Sequence, residues 1–282
     1  MVPVRGVGKG SPWRTTGPYR DVMDPDVVAH YGDGAEQARL DGWSLERLRT
    51  EELLTRWLPR PPGRVLDVGG GPGRHAAWMA ERGWAVTLLD PVPLHVTQAS
   101  AVVGGRVELG DGRRLPHADE TFDAVLVLGP LYHLVDAGDR VAVLREARRV
   151  VKLGGVVVAA AISRLASMLS GFAEGFIRDP RFREIVAGDL VDGTHRNPTR
   201  HPNWFTTAFF HAPAQVESEM HAAGLEMVRV VGVEGPAWLW GDRGTEPDDE
   251  EWREAALWAA RTVESDPEFV PVSAHLLAAG RR

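Results

Sequence analysis

The 282-residue chain has no cysteine, which excludes a disulfide framework, a thiolate zinc site and a cysteine nucleophile together. Lysine is nearly absent too. It occurs only at Lys9 and Lys152, a bias that reads as codon usage rather than function. No run approaches the roughly 18 apolar residues needed to cross a bilayer. The start, Met1-Val2-Pro3-Val4-Arg5-Gly6, lacks the apolar segment of a secretory signal. The expectation is therefore a soluble, cytoplasmic protein, monomer or homodimer, with no membrane partner. Positive charge is in deficit: at a net −7 no overall field draws the chain towards phosphate backbones, so nucleic acid is not an expected partner. The arginines of 145, 148 and 149, with Lys152, read as the solvated face of one helix. Spacing of the His-Glu-x-x-His kind is missing as well. His195, His201 and His211 do not form a ligand pattern, and no metal is expected.

What the sequence does contain is punctuation and alternation. Residues 1–22 hold three prolines and four glycines with little apolar periodicity, and read as a flexible N-terminal arm. Residues 23–60 read as helices. Asp24-Pro25 opens one, and Ser44 caps another carrying Leu45, Leu48, Leu53, Leu54 and Leu58. After Pro59-Arg60-Pro61-Pro62-Gly63, residues 61–162 alternate. Strands are expected at Val65–Val68, Ala85–Leu89, Arg106–Leu109, Phe122–Leu128 and Val156–Ile162. Helices are expected at His75–Arg82, Leu94–Val102 and Arg140–Val151. Such alternation predicts an α/β fold with a mostly parallel sheet, right-handed crossovers and helices on both faces.

Between 163 and 211 the rhythm stops. The stretch is aromatic, with few strand signals, and reads as a helical cap or lid inserted into the domain. Residues 212–282 then complete the sheet. A helix is expected at Pro213–Ala223, a strand at Leu225–Val233, a helix at Glu251–Glu264 and a last strand over Val270–Ala279.

The chemistry-bearing residues fall at strand ends. Asp67-Val68-Gly69-Gly70-Gly71-Pro72-Gly73 closes the first strand. Glycines there let a ligand approach bare backbone at the positive end of the next helix. A dinucleotide fold would place glycines first, third and sixth; here they fall first, third and fifth. The preceding acid would repel a pyrophosphate and suits the cationic end of a ligand. Asp90 ends the second strand, where a carboxylate can accept two ribose hydroxyls. Asp111 follows the third, placed to accept an adenine amino group. Each acid alone could be a helix cap, but capping does not explain three at successive strand ends.

The stretch from about Pro62 to Ile162 resembles the class I, Rossmann-like S-adenosylmethionine-dependent methyltransferases, on Val65–Gly73, Asp90, Asp111–Pro116, Phe122–Leu128 and Leu153-Gly154-Gly155. The resemblance implies a seven-stranded sheet whose last strand is antiparallel. It implies S-adenosylmethionine as cofactor and S-adenosylhomocysteine as product. Asp67 with Gly69, Gly71 and Gly73 would hold the amino-acid end, Asp90 the ribose, Asp111 and Gly112 the adenine, and backbone at Leu128 and Gly129 the methionine amino group. Tyr31 and Arg39 lie in a segment resembling one that covers the cofactor, or else on a surface helix. Gly129-Pro130-Leu131-Tyr132-His133-Leu134 resembles a small-molecule subgroup.

For catalysis the candidates are His133 and His195, as bases or as packing histidines. Glu234 joins them as a carboxylate that binds a cationic acceptor, orients a histidine, or merely closes a turn. Tyr132, Trp204, Phe205 and Trp238 are candidates for an aromatic substrate pocket. The implied activity is methyl transfer by in-line displacement to an oxygen or nitrogen of a small molecule. Two alternatives stand beside it: the cofactor kept for non-methylating chemistry, or a non-catalytic cofactor-binding scaffold.

Overall fold

The computed structural model describes residues 44–240 and 249–282. Ser44 opens the first helix, α1 (Leu45–Trp57), its side chain accepting the Arg47 N–H at 3.3 Å. Leu53 and Leu54 are fully buried on its inner face. Burying a leucine contributes about 1.5–3 kcal/mol, so this stripe fixes which face meets the sheet. The alternating region follows as β1 (Arg64–Val68), α2 (Arg74–Glu81), β2 (Ala85–Asp90), α3 (Pro93–Val102), β3 (Arg106–Leu109), β4 (Phe122–Val127), α4 (Ala137–Val150) and β5 (Val151–Ser163).

The insertion contains α5 (Ala166–Glu174), α6 (Pro180–Asp192), β6 (Thr194–His195) and β7 (Ala208–His211). The chain closes with α7 (Pro213–Ala222), β8 (Glu226–Gly232), α8 (Glu250–Val263) and β9 (His275–Arg281).

The sheet runs β3-β2-β1-β4-β5 with every neighbour parallel. β9 then pairs antiparallel with β5 and β8 antiparallel with β9, so β8 again points the way of β5. These seven strands form the mostly parallel, Rossmann-like sheet, and β6–β7 extend it where β7 pairs with Ile162 and Ser163 at the end of β5. Strand alternation divides the core. Leu66, Val68, Val125 and Val127 pack on α4 and α7, whereas Val65, Val86, Leu88 and Leu126 pack on α1, α2 and α3.

Several boundaries differ from those read in the sequence, each for a physical reason. The helix expected from Arg140 begins at Ala137, because Asp136 accepts the Asp139 N–H and caps it. The last strand does not start at Val270. Residues Val270–Val272 form a 3-10 turn around Pro271, which offers no N–H to a ladder, and β9 starts at His275. Strands β6 and β7, two and four residues long, are too short to announce themselves inside an aromatic stretch. The expected N-terminal arm, Tyr31 and Arg39 lie outside the described residues.

Two buried arginines tie the layers. Arg49, with no exposure, pairs with Glu52 at 2.7 Å and with Glu264, and donates Nε–H to the Val233 carbonyl, joining α1 to α8 and the end of β8. Arg140 pairs with Glu219 at 2.7 Å, donates to the Leu134 and Val135 carbonyls, and covers the Phe209 ring at 3.6 Å. Among the described residues no helix is long and apolar enough to cross a membrane.

Candidate functional site

Parallel pairing brings the carboxyl ends of β1, β2, β3 and β4 to one rim, and a pocket opens there. Its wall includes Asp67, Gly69, Gly71, Asp90, Asp111, Gly112, Leu128, Gly129, Tyr132 and His133. The turn after β1 requires glycine at Gly69: its φ is +68°, and an added Cβ would stand 2.6 Å from Pro130 Cγ. At Gly71 φ is +57° but no atom lies within 4 Å of an added Cβ, so the space beside it is open. Gly73, at φ +92°, precedes α2 and stands off the wall.

The acids at the rim are in opposite states. Asp90, 3% exposed, accepts the Gly71 N–H at 2.9 Å, the Val92 N–H at 2.9 Å and the His95 ring nitrogen Nδ1 at 3.1 Å. Asp67 is buried at 1% exposure, and neither carboxylate oxygen has a hydrogen-bond partner among the described residues. Burial, and secondarily the charge of Asp90, push its pKa up to about 7. A buried carboxylate without donors is costly unless a cation or donor arrives to meet it. Bare glycine backbone and an orphaned carboxylate on one wall are what a cationic amino-acid end requires, so the residues present fit S-adenosylmethionine.

Asp111 is held by Arg113, whose backbone N–H donates to Oδ1 at 2.9 Å and whose guanidinium grips both oxygens while pairing with Asp139 at 2.7 Å. The Gly112 Cα lies so close to β1 that a Cβ would meet Val68 Cγ1 at 2.7 Å. These contacts fix the floor on the β3 side.

Tyr132 and His133 belong to a 3-10 turn, Leu131–His133. Their rings meet edge to face at 4.6 Å, and Phe205 stacks on His133 at 6.2 Å. Phe205, which holds φ at +39°, stands off the wall and backs His133 from the insertion.

The other sequence candidates are placed elsewhere. His195 is 1% exposed with both ring nitrogens engaged, Nδ1 with Asp189 at 2.9 Å and Nε2 with the Trp204 carbonyl at 3.2 Å, and it stacks on Phe210 at 4.8 Å. Ser167 also approaches Nδ1, at 3.4 Å. A serine, a histidine and an aspartate thus meet, but serine and carboxylate compete for one nitrogen and all three are buried, so the trio is a staple for the insertion. Trp204 packs on Phe182 at 5.2 Å beneath α6, away from the wall. Trp238 donates to the Val272 carbonyl at 2.8 Å. Glu234 is buried behind the wall, bonded to Ser273 and His275.

Among the wall residues that the sequence did not single out are His95, His75 and Glu46. His95 sits in the first turn of α3, and Pro93 opening that helix three residues after Asp90 ends β2 was the available signal. His75, on α2, is half-buried, its enclosed Nδ1 unpartnered among the described residues, and desolvation holds its pKa down to about 4. Glu46, on the first turn of α1, had no signal, since tertiary packing alone brings it to the pocket.

Comparison with known proteins follows the same line. Residues 65–155 match the family model described as a methyltransferase domain. The chain is 30% identical over 232 residues to a ubiquinone biosynthesis O-methyltransferase of Azorhizobium caulinodans, covering 80% of this chain and 76% of that one. It is 31% identical over 160 residues to the methyltransferase GfsG of Streptomyces halstedii, covering 52% and 56%. A crystal structure of a methyltransferase from Thermotoga maritima superposes at a TM-score of 0.55 with 19% identity, covering 90% of this chain and 98% of that one.

Proposed function

The chain belongs to the S-adenosylmethionine-dependent methyltransferases, and from that premise we propose that it methylates an oxygen or nitrogen atom of a small molecule. The observation that carries the reading is the donorless carboxylate of Asp67 beside the glycine turn. When bound, S-adenosylmethionine supplies a methyl group already activated on a sulfonium.

In this reading Asp67 and the backbone of Gly69 and Gly71 receive the methionine end, with Gly73 setting the start of α2. Leu128 and Gly129 close over it from β4. Asp90 has one acceptor direction left, on Oδ2, after its three donors and takes a ribose hydroxyl there. Asp111, steadied by Arg113, and the Gly112 N–H take the adenine.

With the methyl already activated, the chain's contribution is to hold the acceptor close and collinear. Tyr132 and His133, the latter backed by Phe205, form the aromatic wall that orients it. His133 is the residue of this wall that can also meet a proton. His195 and Trp204 act at a distance by keeping the insertion folded, and Trp238 by anchoring the turn after β8.

The test is conversion of S-adenosylmethionine to S-adenosylhomocysteine over a panel of hydroxyl and amine acceptors, read as a one-methyl mass gain in the product. S-adenosylhomocysteine formed without any methylated acceptor would overturn the reading.

A further inference from the structure

S-adenosylmethionine carries an ammonium and a carboxylate on one carbon, so a site with an acceptor for the first needs a donor for the second. The acceptor is Asp67, buried at the end of β1 with neither oxygen partnered among the described residues. The donor side is the first turn of α2. Gly73 stands in the capping position with no side chain to offer, and the N–H of His75 donates to no carbonyl among the described residues. A helix start leaves such N–H groups directed outward, with the positive end of the helix dipole behind them.

The His75 ring belongs to the same pocket wall as Asp67 and the glycine turn. Its Nδ1 is enclosed without a hydrogen-bond partner among the described residues, whereas Nε2 is not enclosed. Desolvation holds its pKa down to about 4, so the ring is neutral at ordinary pH. With no acceptor beside Nδ1, the one proton of the neutral ring sits on Nε2, the nitrogen left open. The charged groups acting on the ring are Glu46, Arg74 and Arg47, two cations against one anion. An arriving carboxylate therefore meets an N–H donor in a field that does not repel it.

We propose that the first turn of α2 holds the carboxylate of the cofactor's amino-acid end, with Nε2–H of His75 as its side-chain donor. Asp67 takes the ammonium from the other side, and together they recognise the amino-acid end as a zwitterion. The site is then selective for S-adenosyl ligands that keep the carboxylate. The assignment rests on the cofactor placement given above. A base role for the same ring is the weaker alternative, because an imidazole of so low a pKa takes an acceptor's proton poorly at neutral pH.

The test titrates the full chain by calorimetry with S-adenosylmethionine, its decarboxylated analogue, and methylthioadenosine, which lacks the whole amino-acid end. The wild type should bind the decarboxylated compound at least about tenfold more weakly than S-adenosylmethionine, the size of one hydrogen bond to a charged group. His75→Ala should weaken S-adenosylmethionine at least about tenfold and leave the other two ligands within about twofold. Unchanged methylthioadenosine binding shows that the variant folds. His75→Gln, which keeps an N–H donor, should recover part of the loss. Asp67→Asn should weaken S-adenosylmethionine and the decarboxylated compound alike, since both keep the ammonium.

Equal wild-type affinity for the two S-adenosyl compounds, or a loss in His75→Ala that both share equally, would overturn the proposal. So would lost turnover with unchanged affinity in His75→Ala, which would move the ring to the acceptor. If His75→Ala fails to fold, the wild-type comparison and His75→Gln still decide. A wild-type chain that binds neither S-adenosylmethionine nor methylthioadenosine would instead overturn the cofactor placement beneath it.

Discussion

Oδ2 of Asp90 accepts the backbone N–H of Gly71 at 2.9 Å, so the acid at the end of β2 holds the glycine turn that ends β1. The same carboxylate fixes Val92 and His95 at the start of α3. One side chain therefore sets both sides of the pocket's entrance. Asp90→Ala removes a charged acceptor from two backbone donors, at about 1.5–3 kcal/mol for each hydrogen bond. S-adenosylmethionine affinity is expected to fall at least about tenfold, as read by calorimetry. Unchanged affinity would sink the role given to Asp90.

Gly69 and Gly71 share a positive φ but differ in surroundings. Gly69→Ala meets Pro130 as well as an unfavourable backbone, and is expected to lose about 1–3 kcal/mol of stability. Gly71→Ala meets no protein atom and should cost about 1 kcal/mol, but its methyl projects where the ligand is placed. Thermal unfolding should thus single out Gly69→Ala, while cofactor titration should single out Gly71→Ala.

Asp67 and His75 tilt the pH dependence of stability in opposite directions. The folded pKa of Asp67 is raised to about 7 from 3.8. Between those values the folded state holds more protons than the unfolded one, and this contribution to stability falls as pH rises. His75 is lowered to about 4 from 6.5. Across that window the unfolded state holds more protons, and its contribution rises with pH.

In the wild type the two slopes oppose each other. Denaturant unfolding between pH 5 and about pH 7 should become steeper upward in Asp67→Asn and turn downward in His75→Gln, each by at most about 1.4 kcal/mol per pH unit. Curves parallel to the wild type would contradict both assignments. Affinity for S-adenosylmethionine should also rise with pH up to about 7, and lose that rise in Asp67→Asn.

His195 is expected to matter for stability alone. Its removal leaves the Asp189 carboxylate, with no exposure, without its ring partner. His195→Ala should cost about 3 kcal/mol and leave affinity for S-adenosylhomocysteine unchanged. A variant of wild-type stability and lost turnover would return His195 to the chemistry.

The parallel sheet was legible in the sequence because strands, glycine turns and acids recur in order. Asp67, Asp90 and Asp111 each stand at a strand end, so local pattern alone carries them to one rim. What the pattern could not supply was partnership across the fold. Glu46 on α1, His275 on β9 and Glu234 after β8 are brought together by the antiparallel return of β9, which no local spacing encodes. The insertion misled in the other direction. His195 and Trp204 are aromatic and polar in the way a pocket is, but they are used to bury α5 and α6. Composition does not distinguish a wall facing a ligand from one facing a helix.

The most direct test of the central claim is a calorimetric titration of the full chain with S-adenosylmethionine, S-adenosylhomocysteine and NADH. Micromolar binding of the first two at one site, weakened in Asp90→Ala, with no heat from NADH, is the predicted result. A folded protein that binds neither S-adenosyl compound, or binds NADH equally well, would contradict it.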